Sequence, residues 1–161
     1  MISVIFVCLG NICRSPMAEF VFKKMVDERG LSLSFDITSR GTSDEEEGNG
    51  IYPPAARTLR AHGIEGRHVS RQLTKKEVLN ADYVLVMDSG NLFDVLRLTC
   101  GQCSEKVFKL CSFTSHPRDV ADPWYTRDFE KAYSDIRDGC EGFLNYVLSA
   151  HSDMLGYDSR H

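Results

Sequence analysis

Apolar residues recur along this chain in two rhythms. Ile2 to Val7 is an apolar run broken only at Ser3, the pattern of a strand covered on both faces. Ala18, Val21, Phe22, Met25 and Val26 then follow at helical spacing. Ser15 stands ahead of them as the predicted N-cap, with Pro16 at the first helical position, where a missing N–H costs nothing. Gly30 marks the stop. Ser34 to Ser39 predicts a weaker second strand, followed by a loop from Arg40 to Tyr52 rich in glycine and acid. Pro53-Pro54 opens a short helix through Leu59 and Ala61, ended by Gly63, and Thr74-Lys75-Lys76-Glu77 has the form of a capping box before Val78-Leu79. Asp82 to Met87 holds a third strand, Tyr83-Val84-Leu85-Val86. A helix starting near Ser89 uses Leu92, Val95, Leu96 and Leu98, and Val107 to Leu110 predicts a short fourth strand. Loop residues run on to Tyr125. The last helix has the clearest periodicity, from Phe129 through Ala132, Tyr133, Ile136, Cys140, Phe143 and Leu144 to Val147. The tail, residues 151–161, is polar and expected to be partly disordered.

Strands separated by helices indicate βαβ units, hence an α/β fold with a parallel sheet and right-handed crossovers. The 161 residues fit one domain, residues 1–150, followed by that tail. A hydrophobic content of 42% and a charged content of 26% are those of an ordinary globular protein. The net charge of −4 gives no reason to expect a nucleic-acid partner, and no segment reaches transmembrane length. The apolar start is too short for a signal peptide and lacks a basic leader. Six cysteines in such a chain point to reduced thiols and a cytoplasmic location.

The candidate chemistry lies in Val7-Cys8-Leu9-Gly10-Asn11-Ile12-Cys13-Arg14-Ser15-Pro16, a loop between a strand and a helix N-terminus. Loop amides and the helix's unpaired donors can converge there on an anion. Gly10 and Asn11 tolerate left-handed backbone, which lets a short loop curl. Cys8 sits among those dipoles with Arg14 six positions on, surroundings that favour the thiolate. A buried, inert cysteine is the simpler reading of such a residue in isolation. The whole string favours a nucleophile that attacks phosphorus and forms a phosphocysteine, with Arg14 gripping phosphoryl oxygens through its planar fork. Leu9 to Ser15 would then bind the phosphate. Ser15 can donate to the thiolate as well as cap the helix, and the residues alone do not separate the two roles. In open parallel sheets ligands bind beyond the C-terminal ends of strands, and the Cys8 loop lies at one such end.

The ten-residue string resembles the signature of the low-molecular-weight protein tyrosine phosphatases. Ser39, His68-Val69-Ser70-Arg71-Gln72, Met87-Asp88 and Asp122-Pro123-Trp124-Tyr125 follow in the family's order, so that the likeness spans roughly Met1 to Leu148. The resemblance implies a doubly wound domain whose four parallel strands run in the order 2-1-3-4. It implies a metal-independent hydrolase without cofactors that acts on phosphotyrosine-containing proteins as a monomer or weak dimer. It also supplies Asp122 as general acid. A phenolate whose conjugate acid has a pKa of about 10 leaves readily only if protonated as the bond breaks. Without the resemblance, Asp-Pro is simply a turn, and Asp88 and Asp119 are the other acid candidates. Asn11, Ser15, Ser39 and His68 resemble the family's supporting hydrogen-bond network, with Arg40 and Gly41 altering the run after Ser39.

Leu9, Ile12, Trp124 and Tyr125 resemble the positions that wall a slot for an aromatic ring. Related arginine phosphatases carry threonine where this chain has Ile12, which implies phosphotyrosine. Trp124 stands where many members have tyrosine. The acidic run Asp44-Glu45-Glu46-Glu47 lacks the family's aromatic wall residue, and Tyr52 is the available substitute. The run is either a solvated surface loop or a wall that disfavours acidic flanks and favours basic ones. The family implies a protective, reversible disulfide between Cys13 and Cys8. Cys100-Gly101-Gln102-Cys103, with Cys111 and His116 downstream, is only a weak zinc pattern, and free thiols are expected there. Two rival readings are an arsenate reductase of the same fold, whose extra cysteines normally follow the third strand closely, and a phosphotyrosine-binding module without turnover.

Overall fold

The computed structural model describes residues 1–155. Four parallel strands form its sheet: β1 (Ile2–Cys8), β2 (Phe35–Gly41), β3 (Tyr83–Val86) and β4 (Val107–Lys109). Their order is β2-β1-β3-β4, the expected doubly wound arrangement. The central strand β1 pairs from Ile2↔Phe35 to Cys8↔Gly41 on one side and from Val4↔Tyr83 to Val7↔Val86 on the other.

Because strand side chains alternate between faces, β1 feeds two cores. Ile2, Val4, Phe6 and Cys8 join the core formed with α1 (Arg14–Glu28) and α6 (Phe129–Ala150), while Ile5 and Val7 join a smaller one with Val78 of α3 (Lys75–Asn80) and Val95 of α4 (Ser89–Leu98). Phe143 of α6 is fully buried, its ring 5.2–5.4 Å from those of Phe22, Tyr83 and Phe113. Removing a ring so placed costs about 3–5 kcal/mol; Tyr83 opens β3, so this cluster anchors the end of the sheet opposite the Cys8 loop.

Several elements depart from the hydrophobic pattern. α1 begins at Arg14, with Cys13 as its N-cap and no side-chain cap. Ser15 is therefore the second helical residue and Pro16 the third. The correction has a chemical reason, since the Ser15 N–H that a cap would have served points at Cys8 Sγ instead, at 3.4 Å. β2 runs two residues past the expected end, because Arg40 and Gly41 continue the ladder against Val7 and Cys8. A Cβ at Gly41 would lie 2.9 Å from the Leu9 carbonyl oxygen, so glycine is what allows β2 to approach the Cys8 loop. The segment before Tyr125 is more ordered than a loop: a 3-10 turn covers Leu110–Phe113, and α5 (Pro123–Thr126) is a single helical turn. The helix α2 (Pro53–Ala61) and the capping box of Thr74 at α3 follow expectation, and a second capping box, not foreseen, forms at Asp88 before α4. Of the polar tail, Ser152–Leu155 form a short helix, α7, and residues 156–161 lie outside the described residues.

Candidate active site

The strand order puts the end of β1 at the centre of the sheet's C-terminal edge, and Cys8 is its last residue. The chain then curls through residues 9–13 into α1. Asn11 supplies the left-handed step, with φ 59°, whereas Gly10 does not adopt positive φ. One left-handed residue, not the expected two, makes this curl.

Asn11 is 1% exposed, and its side chain is fully engaged. Its amide nitrogen donates to Ser15 Oγ at 2.8 Å and Ser39 Oγ at 3.1 Å, and its amide oxygen accepts from the Arg71 N–H at 3.0 Å. The Asn11 carbonyl accepts from Ser70 Oγ at 2.6 Å and lies 2.6 Å from His68 Nε2. Ser39 Oγ in turn donates to Glu19 Oε1 at 2.7 Å. Buried polar groups this fully paired hold one geometry, because any rearrangement strands several of them. His68 serves this frame as a neutral donor: burial pulls its pKa down, and the Asn11 carbonyl only partly offsets the effect. Ser15 Oγ lies 3.0 Å from Cys8 Sγ and 3.3 Å from the Arg40 carbonyl. Against a thiolate its single proton turns to sulfur.

Arg14 is 2% exposed. Its Nη1 donates to Asp88 Oδ2 at 2.7 Å and to the Val120 carbonyl at 2.8 Å, and its Nη2 reaches Asp122 Oδ2 at 3.4 Å. Burial works against the guanidinium charge, but Cys8, Asp88 and Asp122 outweigh it and hold the group more firmly protonated than a free arginine. Burial likewise raises the Asp88 carboxyl, yet bonds from Arg14 and the Asn91 amide bring it below its ordinary value. Asp88 is thus Arg14's partner, which removes it as an acid candidate. Asp119 pairs with Lys109 at 3.0 Å. Asp122 stands in the cleft with Cys8 and Arg14, its Oδ1 held by the Trp124 N–H at 3.0 Å.

Leu9, Ile12, Trp124 and Tyr125 all line this cleft. So do Ser43, Glu45 and Glu46, whereas Asp44 and Glu47 of the acidic run do not. Tyr52 does not line the cleft but stands beside it, its ring 4.9 Å from that of Trp124. Two contributors were given no role in the sequence reading of the site, Ser70 and Glu19, and Asp88 was considered only as an acid. Ser70 and Asp88 stand within strings already singled out, and Glu19 is a buried carboxylate among the apolar positions of α1.

Of the remaining thiols, Cys13 lines the cleft with Cys8. Burial, with Cys8 and Asp122 nearby, pushes the Cys13 thiol up to about 12, so that it is poorly ionised near neutral pH. Cys8 and Cys13 are both free thiols. Cys111 is buried, donates to the Asp135 carbonyl at 3.2 Å and is pushed up to about 11, while Cys100 is exposed. Among the described residues no three histidine, cysteine or acidic side chains gather as a metal site, and no helix is long and apolar enough to cross a membrane.

A family model described as low molecular weight phosphotyrosine protein phosphatase matches residues 3–152. A Sus scrofa protein of that name is 41% identical over 150 residues, covering 90% of this chain and 95% of the relative. Among solved structures, YfkJ from Bacillus subtilis matches with a TM-score of 0.89 at 32% identity, covering 93% of this chain and 96% of its own. A drosophila arginine phosphatase matches with a TM-score of 0.83 at 28% identity, covering 89% of this chain and 96% of its own.

Proposed function

The chain belongs to the low molecular weight phosphotyrosine protein phosphatase family, and from that premise we propose that it hydrolyses phosphotyrosine in proteins through a phosphocysteine on Cys8. The observation that carries this reading is a single cleft in which the Cys8 sulfur, the Arg14 guanidinium and the Asp122 carboxyl converge beneath Trp124. The phosphoryl group sits in the curl of residues 9–15, its oxygens facing loop amides and Arg14. Cys8 Sγ attacks phosphorus as the bond to the phenolic oxygen breaks, and Asp122 delivers a proton to that oxygen. Water then attacks the phosphocysteine, Asp122 takes its proton, and the Cys8 thiolate leaves with release of inorganic phosphate. Each step is complete with the chain's own groups and water, without metal or cofactor.

Ile12 and Leu9 support phosphotyrosine over phosphoarginine. An aromatic ring buries apolar surface against them, whereas a guanidino group would set polar N–H groups against the same wall without partners. Cytoplasmic phosphotyrosine proteins are the proposed substrates, the protein acts as a monomer or weak dimer, and a Cys8–Cys13 disulfide protects the nucleophile from over-oxidation.

The test compares kcat/KM for phosphotyrosine, phosphoserine and phosphoarginine peptides, with and without chelator. Phosphotyrosine is expected to lead in both conditions. A lead for phosphoarginine, loss of activity with chelator, or thioredoxin-coupled arsenate reduction in place of hydrolysis overturns the reading. Phosphotyrosine peptide binding without turnover would establish the non-catalytic rival.

A further inference from the structure

We propose that Tyr52 and Arg127 are positioning residues for Asp122, forming a strut that ties the acid loop to the phosphate loop. The proposal rests on the reading of Asp122 as the general acid. It begins from a contrast: the phosphate loop is held by buried bonds, but the turn that carries Asp122 is largely exposed. Arg14 Nη2 touches Asp122 only at 3.4 Å, and the shorter contact to its carboxylate comes from the Trp124 N–H. Where Trp124 stands therefore decides where the carboxylate points.

Trp124 is itself held by two side chains. The Tyr52 ring centroid is 4.9 Å from its own, and the Arg127 guanidinium lies 5.4 Å from the indole centroid, within cation–π range. These two holders are joined, since Arg127 Nη1 donates to the Tyr52 hydroxyl at 3.0 Å. The other end of the strut is the phosphate loop, because the Tyr52 backbone N–H donates to the Ile12 carbonyl at 2.8 Å. A continuous path thus runs from Ile12 through Tyr52, Arg127 and Trp124 to Asp122, between segments far apart in sequence.

The backbone at Arg127 sharpens the inference. It closes the single turn of α5 with φ 60° and ψ 14°, its N–H donating to the Pro123 carbonyl at 2.9 Å. Glycine adopts that conformation at less cost than any L-residue with a side chain. The turn alone therefore makes no demand for arginine, and the use of this residue lies in where its guanidinium reaches.

The experiment measures kcat/KM for p-nitrophenyl phosphate and for phenyl phosphate in the parent, Tyr52→Phe, Arg127→Gly, Arg127→Lys and Asp122→Asn proteins. The p-nitrophenolate leaving group is a weak base that departs with little help, and phenolate needs the proton from Asp122. A displaced acid therefore costs rate on phenyl phosphate selectively. Tyr52→Phe keeps the ring and Arg127→Gly keeps the turn, and both are expected to lose about fivefold more on phenyl phosphate than on p-nitrophenyl phosphate, the equivalent of one modest hydrogen bond. Arg127→Lys, which keeps a cation and a donor, is expected to recover part of that loss. Equal losses on both substrates, or none, would overturn the strut while Asp122→Asn still shows the selective loss. If Asp122→Asn also shows none, it is the assignment of the acid that fails.

Discussion

On one side of the cleft Asn11, Ser15, Ser39 and Ser70 are buried and joined by hydrogen bonds. On the other, Trp124 is 42% and Tyr125 78% exposed around the acid loop. The first side has to present fixed donors to a phosphoryl group whose shape does not vary among substrates. Its bonds are drawn from β1, α1, β2 and the segment around His68, so that the packing of the whole domain holds the loop. The second side meets a leaving group attached to a protein. It is a short turn resting on a few rim contacts, and its walls carry both aromatic rings and carboxylates. On the proposed reading, phosphate binding rests on the buried frame, and the acid and the discrimination between substrates on the rim.

The largest expected effect separates the two sides by function. Asp122→Asn should lower kcat/KM for phosphotyrosine about 10²- to 10⁴-fold while leaving the affinity for inorganic phosphate, measured by calorimetry, unchanged. A parallel loss of phosphate affinity would mean that the sides are not separable.

Stability should divide them next. Asn11→Ala strands Ser15, Ser39 and the Arg71 amide and is expected to cost about 2–3 kcal/mol in urea unfolding, whereas Trp124→Ala, on the rim, should cost under about 1 kcal/mol. Similar costs for the two would break the comparison.

A smaller effect belongs to the buried frame alone. His68 has its folded pKa below the unfolded value of about 6.5. Protonation therefore favours the unfolded chain, and the contribution of His68 is complete above about pH 6.5 and lost as the pH falls below it. Unfolding free energies at pH 7.5 and 5.5 should differ more in the parent than in His68→Gln, which keeps a donor for the Asn11 carbonyl. An identical difference in both proteins would remove His68 from the frame.

The smallest effect belongs to the rim. Glu45 and Glu46 line the cleft, and among the described residues neither forms an ion pair. Phosphotyrosine peptides with basic flanks should exceed acidic ones in kcat/KM by about two- to fivefold at low salt, and Glu45→Gln with Glu46→Gln should narrow that ratio. Equal values for the two flanks in the parent would return the acidic run to plain surface.

How far the sequence carried follows from the same division. The phosphate loop was legible because its strand, curl and helix are consecutive, and the burial of β1 on both faces is written in its apolar run. The strand order and Asp122 came through resemblance, not periodicity. What stayed hidden depends on closure between distant segments. Asp88 meets Arg14 across 74 positions and Ser70 meets Asn11 across 59, and no local pattern marks such partners. The cap reading of Ser15, suggested by a serine before a proline and an apolar repeat, failed, whereas its contact to the Cys8 sulfur is present at 3.0 Å. Arg127 was invisible because nothing local distinguishes it from a surface arginine.

The central claim is that Cys8 carries the phosphoryl group. Asp122→Asn, in which hydrolysis of the intermediate is slowed, can be mixed with p-nitrophenyl phosphate, whose leaving group departs without the acid, quenched in denaturant and mapped by mass spectrometry. The account predicts one added phosphoryl group on Cys8, and none in Cys8→Ser, which should also lose all turnover. A phosphoryl group on any other residue, or a fully active Cys8→Ser protein, would contradict it.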